Sequence, residues 1–225
     1  MDELELVRLN NKIDNICSSI HPLSSDVAVI HSRNALWLYD VGNHPGIPEL
    51  LKSIAAGYTA AVNDNYDKRL NIVLSHFHID HIGNLNGIKE AMKAYNITLY
   101  QGRYTYKHTC EGLVVEDDVY IKDDGLHLHM FPLPSSHAKG CIALEVDGKY
   151  CFTGDGLYAM QKGTQRLYNA GVLKEEIAVL KNVKADSFMC SHRPPQVRSR
   201  NSVVRWLESI YEKRNKNSAY IEVGS

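Results

Sequence analysis

The sequence predicts an α/β fold of two β-sheets with helices on their outer faces. Three observations carry that prediction. The first forty residues read as short strands, strand–helix units follow, and a second group of consecutive strands then gives way to two more helices. DVAVIH (26–31) and ALWLYD (35–40) are β-rich runs separated by Ser32-Arg33-Asn34, a hairpin signal. IPELLKSIAAG (47–57) has Pro48 near its start and apolar residues at helical spacing, so it reads as a helix. NIVLS (71–75) is a compact apolar strand, 84–94 a helix and ITLY (97–100) a strand. Segments 113–121, 126–131, 141–146 and 149–153 then read as consecutive strands, with Asp124-Gly125 and Asp147-Gly148 as turns. Residues 173–182 read as a helix and SFMC (187–190) as a strand. In 196–213, Val203, Trp206, Leu207, Ile210 and Tyr211 form a helical stripe that reads as core packing.

Composition narrows the function classes. The 225 residues are 44% hydrophobic and 23% charged, with a net charge of −1, which is ordinary for a soluble globular protein. The neutral balance argues against a protein that binds nucleic acid electrostatically. No apolar run of ~18 residues offers a membrane span, and the acidic start MDELELVRLN is unlike a secretory signal. Cys17, Cys110, Cys141, Cys151 and Cys190 are scattered and form no CxxC pair, so reduced thiols in a cytoplasmic protein are expected. At ~150 residues per domain, and with no repeat or linker, one domain over 1–225 is expected.

The chemistry concentrates in Ser75-His76-Phe77-His78-Ile79-Asp80-His81-Ile82-Gly83-Asn84, directly after the apolar strand. In an extended segment, residues two apart face one side, so His76 and His78 can converge on one metal ion. Where the chain turns toward a helix, Asp80 and His81 can face the same cavity. The competing reading is a solvated loop in which Asp80 caps the helix. Three further candidates each follow a predicted strand: His137 in SSHAKG, Asp155 in FTGDG and His192 in MCSHRP. Singly each is as well read as a surface or hydrogen-bonded residue. Together they complete a set of imidazole and carboxylate ligands suited to zinc.

This pattern resembles the metallo-β-lactamase superfamily: His76-x-His78-x-Asp80-His81, then His137, Asp155 and His192 at intervals of 56, 18 and 37 residues. Asp40 in LYDVG also matches the family's early Asp-x-Gly motif. The resemblance spans about residues 26–192 and implies a four-layer αβ/βα sandwich with a metal centre at one edge. It implies that His76, His78 and His137 hold a first metal, that Asp80, His81 and His192 hold a second, and that Asp155 bridges them. Asp40 reads either as a hydrogen-bond partner behind the ligands or as a strand-end turn residue.

Departures from subfamily patterns narrow the reading further. Class B β-lactamases lack the bridging carboxylate, and the diiron flavoproteins have a carboxylate where this chain has His78. Glyoxalase II enzymes carry a helical extension for which the 33 residues after His192 leave little room. The family's RNA-processing nucleases carry added segments not found here. Tyr158, three residues after Asp155, looks like the tyrosine that touches the substrate carbonyl in the family's N-acyl homoserine lactonases. It reads either as an oxyanion donor or as a buried loop tyrosine. Segment 101–120, with Tyr104, Tyr106, His108 and Cys110, reads either as pocket lining or as a surface helix.

The expected function is a dinuclear zinc hydrolase, with iron or manganese as alternative metals, acting on a small ester, thioester or lactone. Its nucleophile would be a metal-bound hydroxide, with Asp80 orienting it and Tyr158 assisting. The rival readings are a phosphodiesterase, a mononuclear iron persulfide dioxygenase and a non-catalytic metal-binding module. Oligomeric state is left open by the sequence.

Overall fold

The computed structural model describes residues 2–61, 68–192 and 197–224. Strands β1 (Leu6–Asn10), β2 (Ile13–Ile16), β3 (Ser19–Ile20), β4 (Leu23–Ser24), β5 (Val27–His31) and β6 (Ala35–Tyr39) precede helix α1 (Ile47–Ala61). Then come β7 (Arg69–Leu74), α2 (Ile79–Ile82), α3 (Leu85–Ala91), β8 (Asn96–Gln101), α4 (Arg103–Thr109) and β9 (Leu113–Val114). The second half holds β10 (Val119–Asp123), β11 (Leu126–Leu133), β12 (Cys141–Val146), β13 (Tyr150–Gly154), β14 (Met160–Lys162) and β15 (Gln165–Asn169). It ends with α5 (Ala170–Asn182), β16 (Ser187–Cys190), β17 (Arg198–Ser199), α6 (Arg200–Glu212) and β18 (Tyr220–Val223).

Among the described residues, two large sheets face each other: β1-β2-β5-β6-β7-β8-β9 and β10-β11-β12-β13-β16-β17. Strand alternation sorts their side chains into layers. Ala28, Ile30, Trp37, Tyr39 and Val73 point inward to meet Leu128, Met130, Ile142, Leu144 and Phe152 of the other sheet. Val27, Val29, Leu36, Leu38 and Ile72 point outward onto Ile47, Leu51 and Ile88 of α1 and α3. On the far side, Phe131, Ala143 and Cys151 pack under Leu173 and Ile177 of α5 and Val203 and Leu207 of α6. The result is the four-layer αβ/βα arrangement. Helix starts follow local chemistry: the Asn169 side chain accepts hydrogen bonds from the backbone of Gly171 and Val172, and Ser199 accepts from Ser202.

Several sequence expectations are corrected. The strand expected over 113–121 is two strands in different sheets, because the chain crosses from one sheet to the other between Val114 and Val119. The helix expected over 84–94 is the shorter α3, preceded by the single turn α2. The last helix begins at Arg200 rather than 196, and Gln196 lies outside the described residues. Segment 101–120 contains the short helix α4, with Tyr104 and Tyr106 partly exposed. A three-stranded sheet, β14-β15-β18, was not expected at all. The five cysteines are free thiols. Among the described residues no helix is long and apolar enough to cross a membrane.

Parallel pairing positions the site. β6 runs parallel to β7, and β13 parallel to β16. Their C-terminal ends all emerge at one edge of the sandwich, carrying Asp40, Ser75-His76, Asp155 and His192 respectively. Gly154, at φ +55, lets the two sheets close there: a Cβ on it would sit 2.6 Å from Ser75 Cβ.

Candidate metal centre

The loops at this edge bring the seven candidate ligands together in two groups. His76, His78 and His137 form one, and Asp80, His81, Asp155 and His192 the other. His78 is the residue at the N-cap of α2, and that turn carries Asp80 and His81 into the site. Asp80 therefore lies inside the helix and does not cap it. His137 sits in the β11–β12 connection. Ser135 Oγ donates to Gly156 O and accepts from the His137 amide, tying the His137 loop to the Asp155 loop. His192 adopts a left-handed backbone, φ +63, and the Ser191 amide donates to Gly154 O.

The ring nitrogens face one another. His76 Nε2 lies 2.9 Å and His137 Nε2 3.1 Å from His78 Nδ1, and His192 Nε2 lies 3.3 Å from His81 Nε2. Tetrahedral zinc with Zn–N bonds of about 2.0–2.1 Å sets its ligand nitrogens about 3.3 Å apart. The arrangement therefore fits a shared cation. Asp155 Oδ2 lies 3.5 Å from Nε2 of each of His81, His137 and His192, so one oxygen reaches both groups. Its Oδ1 is buried without a hydrogen-bond partner. Asp80 Oδ2 is 2.8 Å from His192 Nε2.

Behind the ligands, buried Asp40 accepts three hydrogen bonds: from the Ser75 amide at 2.7 Å, Ser75 Oγ at 2.8 Å and His81 Nδ1 at 2.8 Å. With Nδ1 carrying the proton, His81 Nε2 presents a lone pair to the centre. This is the hydrogen-bonding alternative of the two open for Asp40.

The electrostatics differ between the groups. Burial, and then the neighbouring His81, hold His76 far below the usual imidazole range, and burial with His137 lowers His78. At His81 burial opposes the charged ring, but Asp40 and Asp155 outweigh it and raise the pKa to about 10. At His192 burial is likewise overcome, by hydrogen bonds to Asp155 and Asp80, and the pKa rises to about 9. Asp80 and Asp155 resist burial through His192 and His81 and stay below the carboxylate range. One group is thus neutral imidazole, ready to coordinate. In the other, the imidazoles are held charged between carboxylates, where a cation would take the place of those protons.

A cleft of about 630 Å³ opens onto His137 and His192. Tyr158 lines it, with its ring 6.3 Å from that of His137. Its hydroxyl donates to Ser191 O at 2.6 Å, so the proton expected for an oxyanion is engaged with the backbone before His192. His108 stacks on Phe77 at 4.8 Å beside the ligand segment. Sequence reasoning missed Arg166, Arg198 and Lys213 in the cleft wall and placed Trp206 in the core. Trp206 is 37% exposed and lines the cleft, whereas Val203, Leu207 and Ile210 are buried. The signal was present in α6, where Trp206 and Lys213 share a helix face seven residues apart.

The family profile described as the Metallo-beta-lactamase superfamily matches residues 21–192. No curated protein sequence matches the chain. Solved structures share the fold. A flavoprotein from Thermotoga maritima aligns with 96% of this chain and 63% of its own, at 11% identity and TM-score 0.69. This chain thus spans under two thirds of that protein's length. A metallo-beta-lactamase from Pontibacter korlensis aligns over 94% of this chain and 100% of its own, at 17% identity and TM-score 0.65. A stereoselective inverting sec-alkylsulfatase from Pseudomonas sp. aligns over 93% and 42%, at 16% identity and TM-score 0.65. At such identities the likeness speaks for the fold alone.

Proposed function

The chain belongs to the metallo-β-lactamase superfamily, and from that premise we propose that it is a dinuclear metal-dependent hydrolase of a small ester, thioester or lactone. The observation that carries this reading is the position of Asp155 Oδ2, 3.5 Å from imidazoles of both ligand groups. His76, His78 and His137 would hold one ion and Asp80, His81 and His192 the other, with Asp155 shared. Zinc is the expected ion, and iron or manganese the alternatives. When bound, such a pair supplies Lewis acidity and lowers the pKa of a coordinated water toward about 7.

The chain's own groups do the rest. Asp80 is a carboxylate at neutral pH, so an Oδ atom can take a proton from the attacking water and return it to the leaving group. Asp40 keeps the His81 proton on Nδ1. Tyr158 holds the Ser191 carbonyl and with it the His192 segment; donating to a substrate oxygen requires it to leave that carbonyl. Trp206, Ile210 and Val223 line the cleft and exclude water from the substrate's apolar part. The protein acts on small molecules as one cytoplasmic domain.

The test is a hydrolysis screen of the zinc-loaded protein over lactones, thioesters and phosphodiesters. Turnover of a carbonyl substrate that stops on chelation supports the reading. Turnover confined to phosphodiesters overturns its carbonyl part, and oxygen consumption with bound iron overturns the hydrolase.

A further inference from the structure

Three cations from three separate segments line the cleft beside His137 and His192: Arg166 in β15, Arg198 in β17 and Lys213 at the end of α6. Among the described residues no aspartate or glutamate lines it. Among the described residues none of the three cations is in an ion pair with a carboxylate. The chain as a whole carries a net charge of −1, so this positive lining is local. The phenol groups in the wall are already bound to backbone, Tyr158 to Ser191 O and Tyr168 to Leu157 O. Outside the candidate ligands, the cations are therefore the charged groups of the wall that no carboxylate neutralises. Between them the wall is apolar, with Ala159, Trp206, Ile210 and Val223, and the Arg198 guanidinium lies 6.0 Å from the Trp206 ring centroid.

Unpaired cations on a concave low-dielectric wall focus positive potential into it. A guanidinium fork matches the oxygens of a carboxylate, sulfate or phosphate. A volume of about 630 Å³ suits a small molecule. We propose that the cleft takes an amphiphilic anion, whose charged head pairs with Arg166, Arg198 and Lys213 while an apolar chain lies along Trp206, Ile210 and Val223. The inference rests on the hydrolase reading only in placing the cleavable bond toward His137 and His192.

Binding is read without turnover. Of the two tryptophans, Trp37 is buried and hydrogen-bonded to Asp123, so fluorescence changes report Trp206. The protein is titrated with octanoate, octyl sulfate, octyl phosphate and octanol, with and without chelator; Trp206→Phe is the control for the signal. At least one anion should saturate at a concentration about tenfold or more below octanol, as expected for a charge-assisted head-group contact, and the three heads rank the natural chemistry. Arg166→Ala combined with Arg198→Ala should weaken that anion about tenfold and leave octanol unchanged. Lys213→Ala, at an exposed position, should shift it in the same direction. Equal affinity for octanol and all three anions overturns the proposal, as does unchanged anion affinity in the double variant. Anion binding that disappears on chelation and ignores the arginines also overturns it, because the anion then sits on the metals. If anions bind as expected but no ester is cleaved, the hydrolase reading fails alone. If neutral esters are cleaved and anions are not preferred, this inference fails alone.

Discussion

Asp40→Asn isolates the group that fixes the ligand tautomer. The backbone at Asp40 is left-handed, φ +60, a conformation asparagine tolerates, so the substitution adds little strain. Asp40 accepts from the Ser75 amide on Oδ1, and from Ser75 Oγ and His81 Nδ1 on Oδ2. An amide has one acceptor oxygen for these two sides. If its NH2 faces the Ser75 amide, two donors meet at 2.7 Å in a fully buried site. Leaving such a donor unsatisfied costs about 1–3 kcal/mol of stability. If its NH2 faces His81 instead, Nδ1 must accept and the proton moves to Nε2. That is the atom facing Asp80, Asp155 and His192, so the second group loses a ligand lone pair. Removing such a partner typically costs about 10–100-fold in metal affinity, or about 1.4–2.7 kcal/mol. Zinc competition against a chromophoric chelator should therefore show the weaker site losing about 10–100-fold, while circular dichroism stays native. Zinc affinity within about twofold of wild type, in a folded variant, would refute the tautomer argument.

His78→Ala removes the imidazole that both His76 and His137 face; metal content should fall by about one ion per chain and hydrolysis should be lost, while far-ultraviolet circular dichroism is unchanged. Retained turnover excludes the first ligand group. Tyr158→Phe loses the bond to the Ser191 carbonyl, so the melting curve should show about 1 kcal/mol of lost stability, with a fall in kcat of about tenfold as His192 loosens. An unchanged kcat removes Tyr158 from any part in the reaction. Buried Glu176 has both carboxyl oxygens without partners, and burial raises its pKa well above 4.5. Below about pH 4.5 the folded and unfolded chains both keep this proton. Above it only the unfolded chain loses it, so stability falls by about 1.4 kcal/mol per pH unit until the folded pKa is reached. Glu176→Gln lacks this loss, and its melting-temperature advantage should grow between about pH 5 and pH 8; an advantage independent of pH contradicts a protonated Glu176.

The ligand set was legible because its densest part is local. His76 to His81 occupy six consecutive residues after an apolar strand, and strand alternation and one helical turn bring them to one place. His137, Asp155 and His192 were legible as residues after strands, though their convergence depends on which strands run parallel, and a single sequence does not encode that pairing visibly. The cleft wall was not legible for the same reason. β15 pairs with β18 across more than fifty residues, and neither GlnArgLeuTyrAsn nor TyrIleGluVal shows the clean alternation of a half-buried strand. Trp206 belonged to a true apolar stripe, but it lies at the margin of that stripe and faces the cleft. The run 113–121 looked continuous because strand propensity ignores which sheet a residue joins.

The most direct measurement of a dinuclear centre is anomalous diffraction at the zinc edge from crystals of the zinc-loaded protein. The expected map holds two peaks about 3.5–4 Å apart, one among His76, His78 and His137, the other among Asp80, His81 and His192, with Asp155 between them. A single peak under saturating zinc, or a second peak away from Asp80 and His192, would contradict it.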